Sequence, residues 1–277
     1  MLRSKESSLK NSLPKMPIDY NLTIAALPLD IVPGDVAVNL ESVEGAFASL
    51  PEGTDVVVLP ELFTTGFIAD ADVMSRLAEP LSGDTLQRIR TLAARYNVAI
   101  AGSYLARTAS KVFNRAFFIE PSGEDAYYDK PHLFSISAEA SILSAGNPLP
   151  PVIRFRGWNI SMVICYDIRF PVWCRNVDQR YDILLVPANW PQARGYAWKH
   201  LLIARAIENQ AAVVGANRSG SDEFGSYDGE TYIYDQQGQP VATQHGQWVT
   251  ATISRDALRQ YRLRFPVQAD ADSFSLQ

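Results

Sequence analysis

Apolar residues in this chain come in short uninterrupted runs, separated by polar stretches in which they recur every three or four positions. The runs within Asp55 to Pro60, Val98 to Gly102, Ile160 to Ile164 and Asp182 to Pro187 show no polar alternation. Runs of that length and composition read as strands covered on both faces. Between them, Val36, Leu40, Val43 and Phe47 set the period of an amphipathic helix over Asp35 to Leu50, and Thr85 to Tyr96 forms a second helix. Tyr20 to Leu27 is a short mixed strand, and Val112 to Ile119 pairs with the segment near Tyr127 about the turn Pro121-Ser122-Gly123. Further on, the run from Asp182 is a buried strand broken by Pro187. The loop Pro191 to Gly195 then leads into a helix through Gln210, with Ile203, Ala206 and Ile207 on one face. Ala211 to Ala216, Thr231 to Tyr234 and Val249 to Ile253 complete the strands. Strands alternate with helices early and crowd into hairpins later, which fits a layered α/β sandwich better than a pure Rossmann repeat.

At 277 residues and 47% hydrophobic, the chain can bury a large core. No Gly/Ser or Pro-rich linker divides it, so one domain is expected over 20–277, behind a flexible polar leader over 1–19 in which Met16 is an alternative start. The lysines of that leader precede no apolar stretch, so it reads neither as a signal peptide nor as a membrane anchor, and no later run is long enough to cross a bilayer. The formal charge of -5, with no basic cluster beyond the leader, argues against nucleic acid and membranes as partners. Cys165 and Cys174 lie nine apart, the first inside a strand pattern, so no intrachain disulfide is expected and a reducing cytoplasm is the simplest setting.

Three apolar runs end in a residue with chemistry: Glu61 after the Val56 run, Lys130 after the hairpin, and Cys165 after Ile164. In α/β folds ligands gather outside the carboxyl ends of strands. A free thiol has a pKa of about 8.5, so it becomes a nucleophile near neutral pH only beside a base or a cation. A carboxylate and an ammonium would supply both, and the ammonium would also stabilise an oxyanion; the set suits attack on an amide or nitrile carbon. Taken singly, Glu and Lys at strand ends are ordinarily solvated charges.

Together with their neighbours these residues form three motifs in order. They are Pro60-Glu61-Leu62-Phe63 with Gly66-Phe67; Tyr128-Asp129-Lys130-Pro131-His132-Leu133-Phe134; and Cys165-Tyr166-Asp167-Ile168-Arg169-Phe170-Pro171. They resemble the motifs of the nitrilase superfamily of carbon-nitrogen hydrolases, with similarity from Tyr20 to Phe274. The resemblance implies a four-layer αββα sandwich, a homodimer that pairs sheets across two protomers, and a Glu61/Lys130/Cys165 triad that works without metal or organic cofactor. In this reading Glu61 is the base, Cys165 the nucleophile, and Lys130 with the Tyr166 backbone N–H the oxyanion holder. It also implies a second glutamate near the lysine, carried over to Glu139 in the loop before Gly146-Asn147-Pro148, where it orients Lys130 or the substrate amide. The stretches Pro187 to Pro191 and Ala204 to Gln210 resemble the bacterial omega-amidases of this family, which deamidate 2-oxoglutaramate and related 2-oxo acid amides. Other small-amide or carbamoyl-amine hydrolases of the family, and a catalytically silent binding member, stay open as alternatives.

A carboxylate on the substrate calls for an arginine, whose planar fork matches two oxygens. Arg194, following Asn189 and Trp190, is the specificity candidate or else a solvated loop cation; Arg169 is expected to brace the turn after Cys165. Phe67 and Trp190 wall a small pocket or pack as plain core, with Asn189 and Tyr166 as further substrate contacts. His132 is read as structural, and His200 and His245 share no ligand spacing with it, so no metal is expected. Cys174 reads as an inert apolar residue, and Asp270, Asp272 and Phe274 as a tail that packs on the body or on the partner subunit.

Overall fold

Successive residues of the buried runs enter different cores. Val57, Ile100 and Phe117 pack with Leu40, Val43, Leu86 and Ile89 in one cluster. Their neighbours Val56, Val58, Ala101 and Phe118 pack with Ile160, Met162, Leu185 and Val214 in another. This is why the runs lack alternation: a strand whose side chains point to both faces must be apolar at every position when both faces are covered.

In the computed structural model, which describes residues 21–147 and 149–272, those strands belong to two stacked sheets. The leader over 1–19, Tyr20, Pro148 and Phe274 lie outside the described residues. The larger sheet has seven strands in the order β13 (Thr243–His245), β14 (Trp248–Ile253), β1 (Leu22–Ala26), β2 (Val56–Val58), β3 (Ala99–Thr108), β4 (Lys111–Ile119) and β5 (Asp125–Asp129). The smaller has five: β12 (Tyr232–Tyr234), β9 (Ala212–Asn217), β8 (Ile183–Ala188), β7 (Trp158–Met162) and β6 (Ile153–Phe155). A two-stranded hairpin, β10 (Ser219–Asp222) and β11 (Gly225–Asp228), stands apart.

Helices α1 (Val36–Ala46) and α3 (Asp84–Tyr96) cover the outer face of the large sheet. Helices α5 (Gly195–Asn209) and α6 (Arg255–Arg264) contribute Trp198, Leu202, Ala206 and Leu258 to the core built on the small one. The result is the expected four-layer αββα sandwich. Two short helices, α2 (Ala71–Leu77) and α4 (Glu139–Ile142), lie in the connections. At the centre of each sheet three strands run parallel, β1-β2-β3 and β7-β8-β9. Their carboxyl ends meet: the Glu61 N–H donates to the Ala188 carbonyl at the end of β8, 3.4 Å away.

Several elements differ from the sequence reading. β8 is not broken at Pro187 but runs in parallel register through it to Ala188. The buried face of α5 is Trp198, Leu202, Arg205, Ala206 and Asn209, whereas Ile207 is 50% exposed. An arginine belongs to that face because its guanidinium finds buried partners: Nε and Nη2 of Arg205 donate to the Ile168 carbonyl at 3.0 and 2.7 Å. α6, of sequence RDALRQYRLR, is not marked by the sequence reading: it buries only Leu258, while its second leucine, Leu263, is 65% exposed. Glu139 stands at the first residue of α4 rather than in an irregular loop.

Candidate active site

Cys165 is not the last residue of its strand. β7 ends at Met162, and Cys165 opens a 3₁₀ turn, Cys165–Arg169, in the left-handed region at φ 42°. A non-glycine residue there is strained by about 1–3 kcal/mol and needs its surroundings to hold it. Asp167, fully buried, does so. Its Oδ2 accepts from the Ile164 N–H (2.9 Å) and the Tyr128 hydroxyl (2.9 Å), and its Oδ1 lies 2.8 Å from His132 Nδ1. Trp173 Nε1 donates to the Tyr128 oxygen at 2.7 Å, and Arg205 anchors Ile168 from α5. Leu62, directly after Glu61, is likewise left-handed at φ 46°, with its N–H on Ser103 Oγ at 2.9 Å. Two sharp turns thus present the carboxylate and the thiol from facing sheets.

The third group arrives at the end of β5, where the Lys130 N–H donates to the Asn114 carbonyl of β4 at 2.9 Å. Lys130 Nζ donates to Glu61 Oε1 at 2.8 Å and to Glu139 Oε1 and Oε2 at 2.8 and 3.1 Å. Glu61 Oε1 also accepts from Asn114 Nδ2 (2.8 Å), and Glu61 Oε2 from the Asn189 N–H (2.8 Å). Glu139 Oε2 accepts in turn from the Phe134 N–H at 2.7 Å. All four candidates are nearly sealed, Glu61 at 4%, Lys130 at 2%, Glu139 at 5% and Cys165 at 7% exposure. The charges in this dry cluster therefore act on one another with little screening.

Burial by itself would lower the pKa of Lys130, but Glu139 and Glu61 outweigh it and hold the ammonium well above its ordinary pKa. The Cys165 thiol is pushed well above its ordinary value, first by burial and then by Glu61, against the pull of Lys130 and the Asn189 N–H. Both shifts favour a sulfur that keeps its proton and a lysine that keeps its charge. A carboxylate placed as Glu61 is can accept the thiol proton, the step that turns a thiol into a nucleophile.

The cluster forms the floor of a cavity of about 400 Å³. Phe67, Tyr166, Asn189, Trp190 and Arg194, singled out from the sequence, all line it, as do Leu62, Phe134, Phe224 and Tyr227. Phe67 meets Phe224 of the β10–β11 hairpin with ring centroids 5.5 Å apart, and Phe134 meets Tyr166 at 5.0 Å. Arg169 does not brace the turn after Cys165, a task that Asp167 and Arg205 perform. It lines the cavity, its guanidinium 4.7 Å from the centroid of Trp190, while Arg194 lies 5.3 Å from Phe134. Among the described residues neither cation has a carboxylate partner. No group of three or more His, Cys, Asp or Glu among the described residues is arranged to hold a metal ion.

The family profile for carbon-nitrogen hydrolase matches residues 23–263. The chain belongs to the carbon-nitrogen hydrolase family. It is 44% identical over 228 residues to omega-amidase YafV of Escherichia coli K12, covering 81% of this chain and 87% of that protein. It is 36% identical to the 2-oxoglutaramate amidase of Bacillus subtilis 168 over 79% of this chain and 85% of that one. A crystal structure of a CN-hydrolase superfamily protein from Xanthomonas campestris, with an arsenic adduct in the active site, superimposes with a TM-score of 0.87. It is 41% identical, covering 93% of this chain and all of that one. The nitrilase-superfamily expectation drawn from the three motifs is thus correct.

Sequence reasoning did not single out Asn114, the hairpin residues Phe224 and Tyr227, or Asp167 as the support of the elbow. Asp167 and Phe134 stood inside the quoted motifs and were open to inspection. Asn114 carries no local signal, being one of three polar residues of β4 with Lys111 and Arg115, and nothing in the sequence shows that its side chain is the buried one. His132 is structural, as read: its ring stacks on Phe170 at 4.0 Å and bonds to Asp167.

Proposed function

We propose that the chain is an omega-amidase that hydrolyses the terminal amide of small 2-oxo acid amides, such as 2-oxoglutaramate and 2-oxosuccinamate, to a carboxylate and ammonia. The observation that carries this reading is the pair Arg169 and Arg194. Two cations that have no carboxylate partner among the described residues line the cavity whose floor holds the thiol, the ammonium and the carboxylates. An anionic substrate fits such a cavity, and an amide fits its floor. The names of the Escherichia coli and Bacillus subtilis relatives support the same substrate class.

In this mechanism Glu61 removes the Cys165 proton as the thiolate attacks the amide carbon. Lys130 and the Tyr166 backbone N–H hold the oxyanion. Collapse breaks the C–N bond, Glu61 returns the proton to nitrogen, and ammonia leaves a thioester on Cys165. Glu61 then deprotonates a water that attacks the thioester, the C–S bond breaks, and the proton goes back to sulfur. In this reading Glu139 orients Lys130, which is supported by the contacts of Lys130 Nζ with both Glu139 oxygens. Arg169 and Arg194 share the substrate carboxylate, with Phe67, Asn189 and Trp190 shaping the rest of the cavity.

The test is an amide panel with intact-protein mass spectrometry. 2-Oxoglutaramate should release ammonia and leave a transient acyl adduct on Cys165, with far slower turnover of neutral short amides, carbamoyl amines and nitriles. Efficient turnover of a neutral amide with none of any 2-oxo acid amide would sink the reading. We further propose a homodimer, for which the exposed apolar side chains Tyr196, Ile207, Leu263 and Phe265 on and after α5 and α6 provide contact surface, and a cytoplasmic setting that keeps Cys165 and Cys174 reduced. Light scattering after size exclusion tests the dimer.

A further inference from the structure

Glu61 has about four lone-pair sites on its two carboxylate oxygens. Oε1 accepts from Lys130 Nζ and from Asn114 Nδ2, each at 2.8 Å, and is filled. Oε2 accepts from the Asn189 N–H at 2.8 Å, which leaves one site on Oε2. We infer that Asn114 is a positioning residue for the hydrolysis: its side-chain amide locks the Glu61 carboxylate so that one Oε2 lone pair is held ready for the Cys165 proton. The inference rests on the amidase reading above and deepens it.

Three features of Asn114 support the assignment. It is fully buried on β4, directly behind the carboxylate. Its backbone carbonyl holds the Lys130 N–H, so one residue aligns both partners of the ion pair. Its Oδ1 is buried and receives no donor from the described residues, a destabilising arrangement that an apolar side chain of the same shape would avoid. The amide orientation is fixed, because turning it over would press Oδ1 against the anionic Glu61 oxygen. Such a residue matters to the reaction through the one N–H it supplies to Glu61. Removing that donor disfavours the charged form of Glu61 and frees the carboxylate to rotate. The other groups facing Glu61 are unchanged: Lys130 from the end of β5 with Glu139 behind it, and Cys165 from the elbow with Tyr227 beyond.

The experiment uses the full chain with Asn114→Leu, which matches the shape without polar atoms, and Asn114→Ser, which keeps a hydroxyl donor in a smaller volume. kcat and KM for 2-oxoglutaramate are measured from pH 5 to 10, alongside the urea midpoint and the iodoacetamide labelling rate of the Cys165 peptide. In Asn114→Leu, kcat should fall about 10- to 100-fold, with KM within about twofold, and the acid limb of the kcat profile should move to higher pH. Asn114→Ser should recover part of both effects. Acid limbs that coincide in all three proteins overturn the inference, as does a loss of kcat that merely follows a lower urea midpoint. Labelling needs no substrate. If the unmodified protein released no ammonia, the amidase reading would fail by itself, and the acid limb of the labelling profile would still decide on Asn114.

Discussion

Replacing Asp167 probes how firmly the fold holds the thiol in its unusual backbone conformation. The buried carboxylate accepts from the Ile164 N–H and the Tyr128 hydroxyl on Oδ2 and from the His132 N–H at 3.3 Å on Oδ1, where His132 Nδ1 also approaches. In Asp167→Ala three donors lose their acceptor inside the protein. Each such loss costs about 1–3 kcal/mol, so a destabilisation of about 3–5 kcal/mol is expected after partial relaxation, a large share of the roughly 5–15 kcal/mol typical of a folded domain. With the restraint gone, Cys165 relaxes from φ 42°, and a displacement of about 1 Å at sulfur lowers turnover by about 100-fold.

Asp167→Asn separates charge from shape. Its oxygen can still serve Ile164 and Tyr128 while its NH₂ faces His132, whose ring can change tautomer to accept but whose backbone N–H cannot. About 1–2 kcal/mol should be lost, less than in Asp167→Ala. Urea unfolding gives the ranking through the midpoint at constant m-value, with amidase turnover measured on the same samples. If Asp167→Ala unfolds within about 1 kcal/mol of the unmodified protein, or Asp167→Asn is the weaker of the two variants, the account of the elbow is wrong.

Lys130→Ala should lower the urea midpoint, since it leaves Glu61 and Glu139 buried without their cation, and the folded variant should lose about 100- to 1000-fold in kcat/KM, the usual consequence of deleting one oxyanion donor; activity within tenfold would remove the lysine from that role. Arg169→Ala and Arg194→Ala should each raise KM for 2-oxoglutaramate by about tenfold or more while leaving a neutral amide unaffected. Equal losses on both substrates would show that the arginines only support the walls. The upward shifts of Cys165 and Lys130 also fix the sign of the pH dependence. A raised pKa means that the folded state binds the proton more tightly, so the stability gained is full below the unfolded values, about 8.5 for the thiol and 10.4 for the ammonium. It is lost as pH rises through the folded values. The urea midpoint should therefore decline above about pH 8.5, and Cys165→Ala should flatten the first part of that decline; an identical slope in the two proteins would contradict the raised thiol.

The sequence alone determined the buried strands, because only a strand covered on both faces sustains runs such as Val56 to Leu59. Through the residues that follow those runs, it also marked Glu61, Lys130 and Cys165 as the groups delivered to the strand ends. Their meeting, the 3₁₀ elbow that holds Cys165 at positive φ, and the exchange of roles by which Arg169 faces the cavity while Asp167 and Arg205 hold the turn were decided by tertiary structure. So were the burial of Asn114 and the placing of Phe224 and Tyr227 by the β10–β11 hairpin. The reason is physical. Hydrophobic periodicity reports which side of an element faces a core, whereas the partner of a buried polar group depends on elements far away in the chain, and no local pattern encodes that distance.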